Sequence, residues 1–479
     1  MDFSRRDFLK TGGAAARGFV RQRDTDPVYH FLNRISYGVR KVDLDHATAV
    51  GIAAYLEEQL DPENLPGFTR VKVSSLLKVD RLRLNKSRNA GGKCRDALVS
   101  GAIARAVSSP AQLYERMVEF WSDHFNIFMD GLETELVDFQ REVIRKNALG
   151  NFKTLLIATA RHPAMIYFLN NNENVAEHPN QNYARELMEL HTIGVDGGYT
   201  EMDVMENARV FTGWTVNDRD KPGGFFFNAK DHDDDAKMVL GVDIPAGQGV
   251  NDGIQVLNML ADKPACPRFI CRKLAVRFVS DSPPQSLIDA MVATWTQTAG
   301  EIKPVLRTLF LSPEFAASVG QKLRRPFDYY VAAIRATGTQ VKSLDTVRNN
   351  LEQLGQIPYN WLPPNGYPDT AAAWANTNGL MERWNTAQAL TDTALNDRKS
   401  GMKTPLAKAV GKPTTVGQLV DTLALMVFAA PLADDKRQVM IDYASDNEGP
   451  LTSLSKDLLE KKLGTLTGLM LSAPAFQWR

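Results

Sequence analysis

NQNYARELMELHTIGVDGGYTEMDVMENARVFTGW, residues 180–214, is the stretch on which the reading of this chain turns. From about Asn182, Tyr183, Leu187 and Leu190 recur at helical spacing and form an apolar stripe. Glu186 and Glu189 stand three apart and share a face, with Arg185 four residues before Glu189 and able to pair with it. Gly194 and the Asp196-Gly197-Gly198 turn stop the helix, since glycine adopts backbone conformations that other residues avoid. Thr200 followed by Asp203 reads as a capping box, Asp replacing the usual Glu or Gln. The helix it opens turns Val204, Ala208 and Phe211 inward and ends near Gly213-Trp214. Helix, glycine turn, capped helix is the grammar.

The same grammar recurs outward from this centre. VSSPAQL (107–113), ARHPAMI (160–166), LSPEF (311–315) and LSAPAF (471–476) each end one apolar helical pattern and start another. Proline suits the first helical turn and disfavours helix in the residue before it. Their irregular spacing argues against a true repeat. Helical periodicity also covers 26–65, 113–128, 264–278, 286–310, 326–338, 371–395 and 416–428. Asn89-Ala90-Gly91-Gly92 is expected as a loop, and the Pro/Gly-rich NWLPPNGY (360–367) cannot be a helix interior. GGFFFNAKDHDDDAKMVLG (223–241) reads as two short strands around an acidic loop, a hairpin. The expected fold class is therefore mostly α: one large, irregular multi-helical domain over 26–479 with a small β-hairpin insertion. If that unit divides, a C-terminal subdomain would start near 320.

The totals exclude several functions. The 479 residues carry 56 Lys+Arg and 56 Asp+Glu, so no net field draws the chain to nucleic acid or acidic lipid. The basic stretch 70–95 lacks interleaved aromatics for base stacking and reads as a solvated or anion-contacting face. Cys94, Cys266 and Cys271 make neither a disulfide framework nor a zinc knuckle. No apolar run reaches the roughly 20 residues of a transmembrane helix; LVDTLALMVFAA is short and interrupted by Asp421. Residues 1–25 hold Ser4-Arg5-Arg6-Asp7-Phe8-Leu9-Lys10, a twin-arginine-like export signal followed by an apolar region shorter than usual. Export to the periplasm or cell surface is the expectation. A signal that does not work would leave the chain cytoplasmic.

Chemistry, if any, concentrates near the opening stretch. Glu186, Glu189 and Arg185 are the catalytic candidates. His124, Glu186, Glu189, His232 and Asp233 are the metal-ligand candidates, because imidazole with carboxylates suits zinc, iron or manganese. No nucleophile elbow, phosphate-binding glycine loop or HExxH motif is present. His191 lies two positions from Glu189, which turns it away on a regular helix.

The opening stretch is very similar to the signature of a bacterial family, the domain of unknown function 1800. The likeness continues through EFWSDHF (119–125), His232-Asp233…Lys237…Leu240-Gly241, RFICRKLAVRF (268–278), LSPEF (311–315) and the Pro-Pro-Asn-Gly-Tyr-Pro segment before Trp374. It thus spans nearly the whole chain. The resemblance implies a large, mostly helical and often exported protein, whose gene neighbours that of a sulfatase-like domain of unknown function 1501 protein. It supplies no reaction, and it demotes His191, where relatives commonly carry Phe. Two readings stand open. One is an exported metal-assisted hydrolase acting on envelope or extracellular polymer, a divalent metal being its expected cofactor. The other is a non-catalytic envelope scaffold that partners the sulfatase-like protein.

Overall fold

Proline sets the joints as expected. Pro163, Pro313 and Pro474 each occupy the first turn of a short helix that follows a longer one directly. Pro110 separates Ala90–Ser108 from Gln112–His124. The computed structural model describes residues 26–79, 89–217, 223–392 and 402–479. The twin-arginine-like segment, most of the basic run at 80–88 and residues 393–395 of the 371–395 pattern lie outside them. The described chain is mostly helical, with three two-stranded antiparallel sheets. Among its helices none is long and apolar enough to cross a membrane.

Buried apolar side chains form a continuous core from Phe31 to Phe476, with Trp121 and Trp214 among its largest members. Gly253 is there because the indole of Trp214 lies against it: a Cβ would stand 2.3 Å from the ring. All three cysteines are free and buried.

Several boundaries differ from the sequence expectation, each for a local reason. The 26–65 pattern is three helices, Pro27–Ile35, Lys41–Val50 and Ile52–Leu60, broken at Ser36 and Gly51. Asn89 takes the left-handed conformation, so Ala90-Gly91-Gly92 already form the first turn of Ala90–Ser108 and are not a loop. The 286–310 pattern is two helices, interrupted where Ala299 and Gly300 both have positive φ. The strands expected at 223–241 exist, but they do not pair with each other. Phe225–Phe227 (β2) pairs back with Trp214–Val216 (β1), and Lys237–Val239 (β3) pairs forward with Val242–Ile244 (β4). The acidic segment between them is a connection between two hairpins. A third pair joins Gln340–Val341 (β5) to Met402–Lys403 (β6).

Candidate functional site

The opening stretch folds as its caps dictate. Asn180 caps Gln181–Glu186 by accepting from the Asn182 N–H at 2.9 Å. The Thr200–Asp203 capping box is reciprocal, and Val204, Ala208 and Phe211 are fully buried. Leu187–Thr192 is wound as a π-helix, closed by the Thr192 hydroxyl donating to the Leu187 carbonyl at 2.6 Å. The wider turn shifts the buried face to Tyr183, Ala184, Leu187, Met188 and His191, leaving Leu190 only partly covered. His191 is thereby carried into the core, away from Glu189.

The expected site residues fall into three separate settings. Arg185 faces Glu201, at 2.6 and 2.8 Å, and stands 3.6 Å from Glu189. Glu189 accepts from the Tyr199 hydroxyl at 2.5 Å; Glu186 is half-buried, and burial and then Glu189 raise its carboxyl. His232 sits in the hairpin region, Nδ1 2.8 Å from the Thr212 carbonyl and Nε2 3.3 Å from Asp252, which also holds Lys237 at 2.8 Å. Asp233 is engaged by two nitrogens of Arg209, at 2.6 and 3.1 Å. His124 is buried elsewhere, against Phe120, Phe125 and Phe152. Among the described residues no group of three or more His, Cys, Asp or Glu side chains is placed to hold a metal ion. The expected ligand set does not converge.

A different centre does converge (Glu119, Asp123, Lys273, Arg277, Arg325 and Asp369). Glu119 and Asp123 lie four apart on Gln112–His124, while Trp121 and Phe120 of the same helix enter the core. Lys273 and Arg277 lie four apart on Ala265–Phe278. Arg325 precedes Pro326–Thr337 directly, and Asp369 closes the Pro-Pro-Asn-Gly-Tyr-Pro-Asp loop. The Arg325 guanidinium donates to both Glu119 and Asp123, the latter at 2.8 Å, and lies 3.5 Å from Asp369. Arg277 stands 3.2 Å from Glu119 and 3.5 Å from Asp123, and donates to Asp369. Beneath them Asp328 is held between Arg116 and Arg479, the latter at 2.6 Å. Such charges survive burial only when each finds partners, and here several share the same guanidinium groups.

The loop that delivers Asp369 is pressed onto the end of the Glu119/Asp123 helix. Asn126 donates to the carbonyls of Trp361 and Pro363, both at 2.8 Å. Gly366, at φ +71°, lies so close that a Cβ would stand 2.0 Å from the Asp123 carbonyl oxygen. Glycine is the residue that permits this contact.

The environment drives the two aspartates apart. Burial raises Asp123 to about 6, against the pull of Arg325 and Arg277, with Glu119 and Asp369 adding to the rise. For Asp369 burial is outweighed by Arg277, Arg325 and Lys322, and it falls to about 2. Burial lowers Lys273 to about 8, opposed by Asp369 and Asp123. Its ammonium donates to His124 Nδ1 at 3.0 Å, while His124 Nε2, 3.1 Å from the His191 carbonyl, carries the ring proton. Burial and then Lys273 keep that ring neutral. Carboxyls whose proton affinities are pushed apart mark acid–base assignments.

Above Glu119 and Asp123 opens a narrow pocket of about 50 Å³, lined also by Tyr37, Phe327, Tyr359 and Tyr367. Both acid side chains remain 17% exposed, so the pocket reaches them. Tyr37 donates its hydroxyl to Glu119 at 2.9 Å. From the sequence, EFWSDHF offers His124 as a candidate ligand and carries part of the family resemblance, but does not single out Glu119 or Asp123. The usable signal was the acid pair at i, i+4 on a half-aromatic helix, matched by the Lys273/Arg277 pair at the same spacing.

Fold and site together define a mostly helical protein built around a buried arginine–carboxylate centre with an aromatic-walled pocket above it. Over residues 30–478 the chain matches the family described as protein of unknown function (DUF1800), and it belongs to that family. No curated protein and no solved structure matches it.

Proposed function

We propose that this protein is an exported hydrolase that cleaves glycosidic bonds in envelope or extracellular polymer, with Asp123 as its proton-transfer group. One observation carries the reading: a carboxyl raised to about 6 that opens into a pocket beside a second carboxylate sharing its arginine. Near pH 6 such a group holds its proton half of the time, so it can give it to a leaving oxygen and take it back from water. Glu119, fixed by Tyr37, Arg277 and Arg325, supplies the negative charge that faces a developing oxocarbenium ion. The tyrosines of the wall suit the apolar face of a sugar ring. Export rests on Ser4–Lys10 alone, and a reporter fusion that stays cytoplasmic would remove that part.

The test is release of reducing ends from purified envelope polysaccharides, followed across pH. Activity should show a limb near pH 6 and vanish in Asp123→Asn while the fold persists. Full activity in that variant sinks the reading.

A scaffold that docks the sulfatase-like partner is the second reading. It is supported by Met202 and Met205, 62% and 47% exposed on Glu201–Val210, beside Met238 of β3 at 55%. Methionine-rich exposed surface suits adaptable contacts. Co-purification of the partner that is lost in Met205→Glu would favour it; failure to co-purify under mild conditions would count against it.

A further inference from the structure

Among the described residues lining the pocket, one cation makes no direct ion pair. Arg145, on the same wall, is committed to Glu115 through two hydrogen bonds at 2.8 Å and packs over Tyr114. Arg277 and Arg325 are consumed by Glu119, Asp123 and Asp369. Arg105, in the last turn of Ala90–Ser108, lines the pocket with its side chain half-buried. Among the described residues its guanidinium has no carboxylate within 4 Å and makes no hydrogen bond. Burial and then Arg145 act against its charge, and Glu115, already committed to Arg145, favours it from a distance.

A partly desolvated guanidinium without a direct ion-pair partner, set in the wall of a pocket, is a binding group open to an anion. Its planar fork matches a carboxylate or sulfate through two parallel hydrogen bonds. Arg325 and Arg277 offset part of the charge of the two carboxylates on the floor, which reduces their repulsion of such a ligand. The pocket therefore offers an uncommitted cation on one wall, aromatic rings around it and a proton donor on its floor.

We infer that Arg105 is a specificity residue, and that the pocket takes a sugar unit bearing a carboxylate or sulfate group whose anion pairs with Arg105. The inference rests on the glycoside-cleaving reading for the word sugar. Its test does not depend on turnover.

The experiment is calorimetric binding to the full chain, using methyl β-D-glucuronide, glucose 6-sulfate and methyl β-D-glucoside as probes. At least one anionic probe should bind about tenfold or more tightly than the neutral one, equivalent to about 1.4 kcal/mol. Whichever anion gains the preference identifies the substituent. Arg105→Ala should erase the preference, and Arg105→Lys should restore part of it, since lysine keeps the charge without the fork. The preference should weaken with added salt. Equal affinities for all three probes, no binding of either anionic probe, or a preference that survives in Arg105→Ala would each overturn the inference. Asp123→Asn separates the two proposals. If that variant keeps the Arg105-dependent preference but also keeps all hydrolysis, the acid–base reading fails and the anion subsite stands. If hydrolysis disappears in Asp123→Asn while wild type binds the three probes equally, the reverse holds.

Discussion

Replacing Asp123 by asparagine should make the protein more stable at neutral and alkaline pH. In the folded state the carboxyl is raised from 3.8 to about 6, so the fold prefers it protonated. Stability from this group is complete below about pH 3.8 and is lost as pH rises through 6. At pH 8 the ionised group therefore costs about 3 kcal/mol, taking 1.36 kcal/mol for each tenfold change in proton affinity. Asparagine keeps the shape of the protonated acid and still accepts from Arg325, while Glu119 and Asp369 continue to balance that guanidinium. For a chain of this length the entropy of unfolding is on the order of 1 kcal/mol per degree, so the gain is about 3 °C in Tm. Scanning calorimetry of wild type and Asp123→Asn from pH 4 to pH 8.5 measures it directly. The gap should be widest at pH 8, shrink through pH 6 and close near pH 4. A variant less stable than wild type at pH 8 would refute the reasoning, because Asp123 would then be an ordinary ion-pair partner whose charge the fold favours. Stabilisation accompanied by loss of hydrolysis is the pattern of a residue kept for function at a cost in stability.

Three further outcomes follow from the same centre. Arg325→Met leaves Glu119, Asp123 and Asp369 facing one another and should lower stability by about 3–5 kcal/mol, seen as a drop of several degrees in Tm; a change under about one degree would contradict the shared-guanidinium account. Lys273, lowered from 10.5 to about 8, should titrate near 8 when its ¹³C-methylated amine is followed by NMR. Because the fold disfavours the charged amine, Lys273→Met should be the more stable protein at pH 7, with the gap closing as pH rises from 8 to 10.5. Gly366→Ala meets the Asp123 carbonyl and requires a side chain at φ +71°; it should cost at least 1–3 kcal/mol in thermal unfolding and reduce hydrolysis with it.

The chain's helices were readable because proline, capping residues and apolar spacing act locally. Pro163, Pro313 and Pro474, and the Thr200–Asp203 box, each sit where short-range chemistry places them. What was not readable depended on pairing at a distance or on a change of helical pitch. The 223–241 segment shows two strands, yet which strand each joins is decided by Trp214 on one side and Val242 on the other. The π-wound turn at Leu187–Thr192 adds a residue that spacing at 3.6 cannot register, so the spacing places Leu190 on the buried face that His191 occupies instead. For the site the limit was sharper. Glu119 and Asp123 look like an ordinary acidic face until Arg277, Arg325 and Asp369 are brought to them, and those partners stand 154, 202 and 246 positions from Asp123 along the chain. Glu186 and Glu189 stand out in the sequence because they lie in the densest motif, but the nearest partners of Glu189 are neighbours in sequence.

That long reach has a consequence for how the molecule is made. As the polypeptide leaves the ribosome, the helix bearing Glu119 and Asp123 emerges well before Arg277, and Arg277 before Arg325 and Asp369. A chain extended only through Phe278 would hold Glu119 and Asp123 without Arg325, the guanidinium that donates to both. Collapse around so uneven a set of charges is unfavourable, because each unpaired ion would lose its water without compensation. The centre as described is complete only when the last third of the chain has been supplied, so its closure requires synthesis to have reached at least Asp369. Contacts of such separation also slow folding, which leaves a long interval in which chaperones could hold the nascent protein.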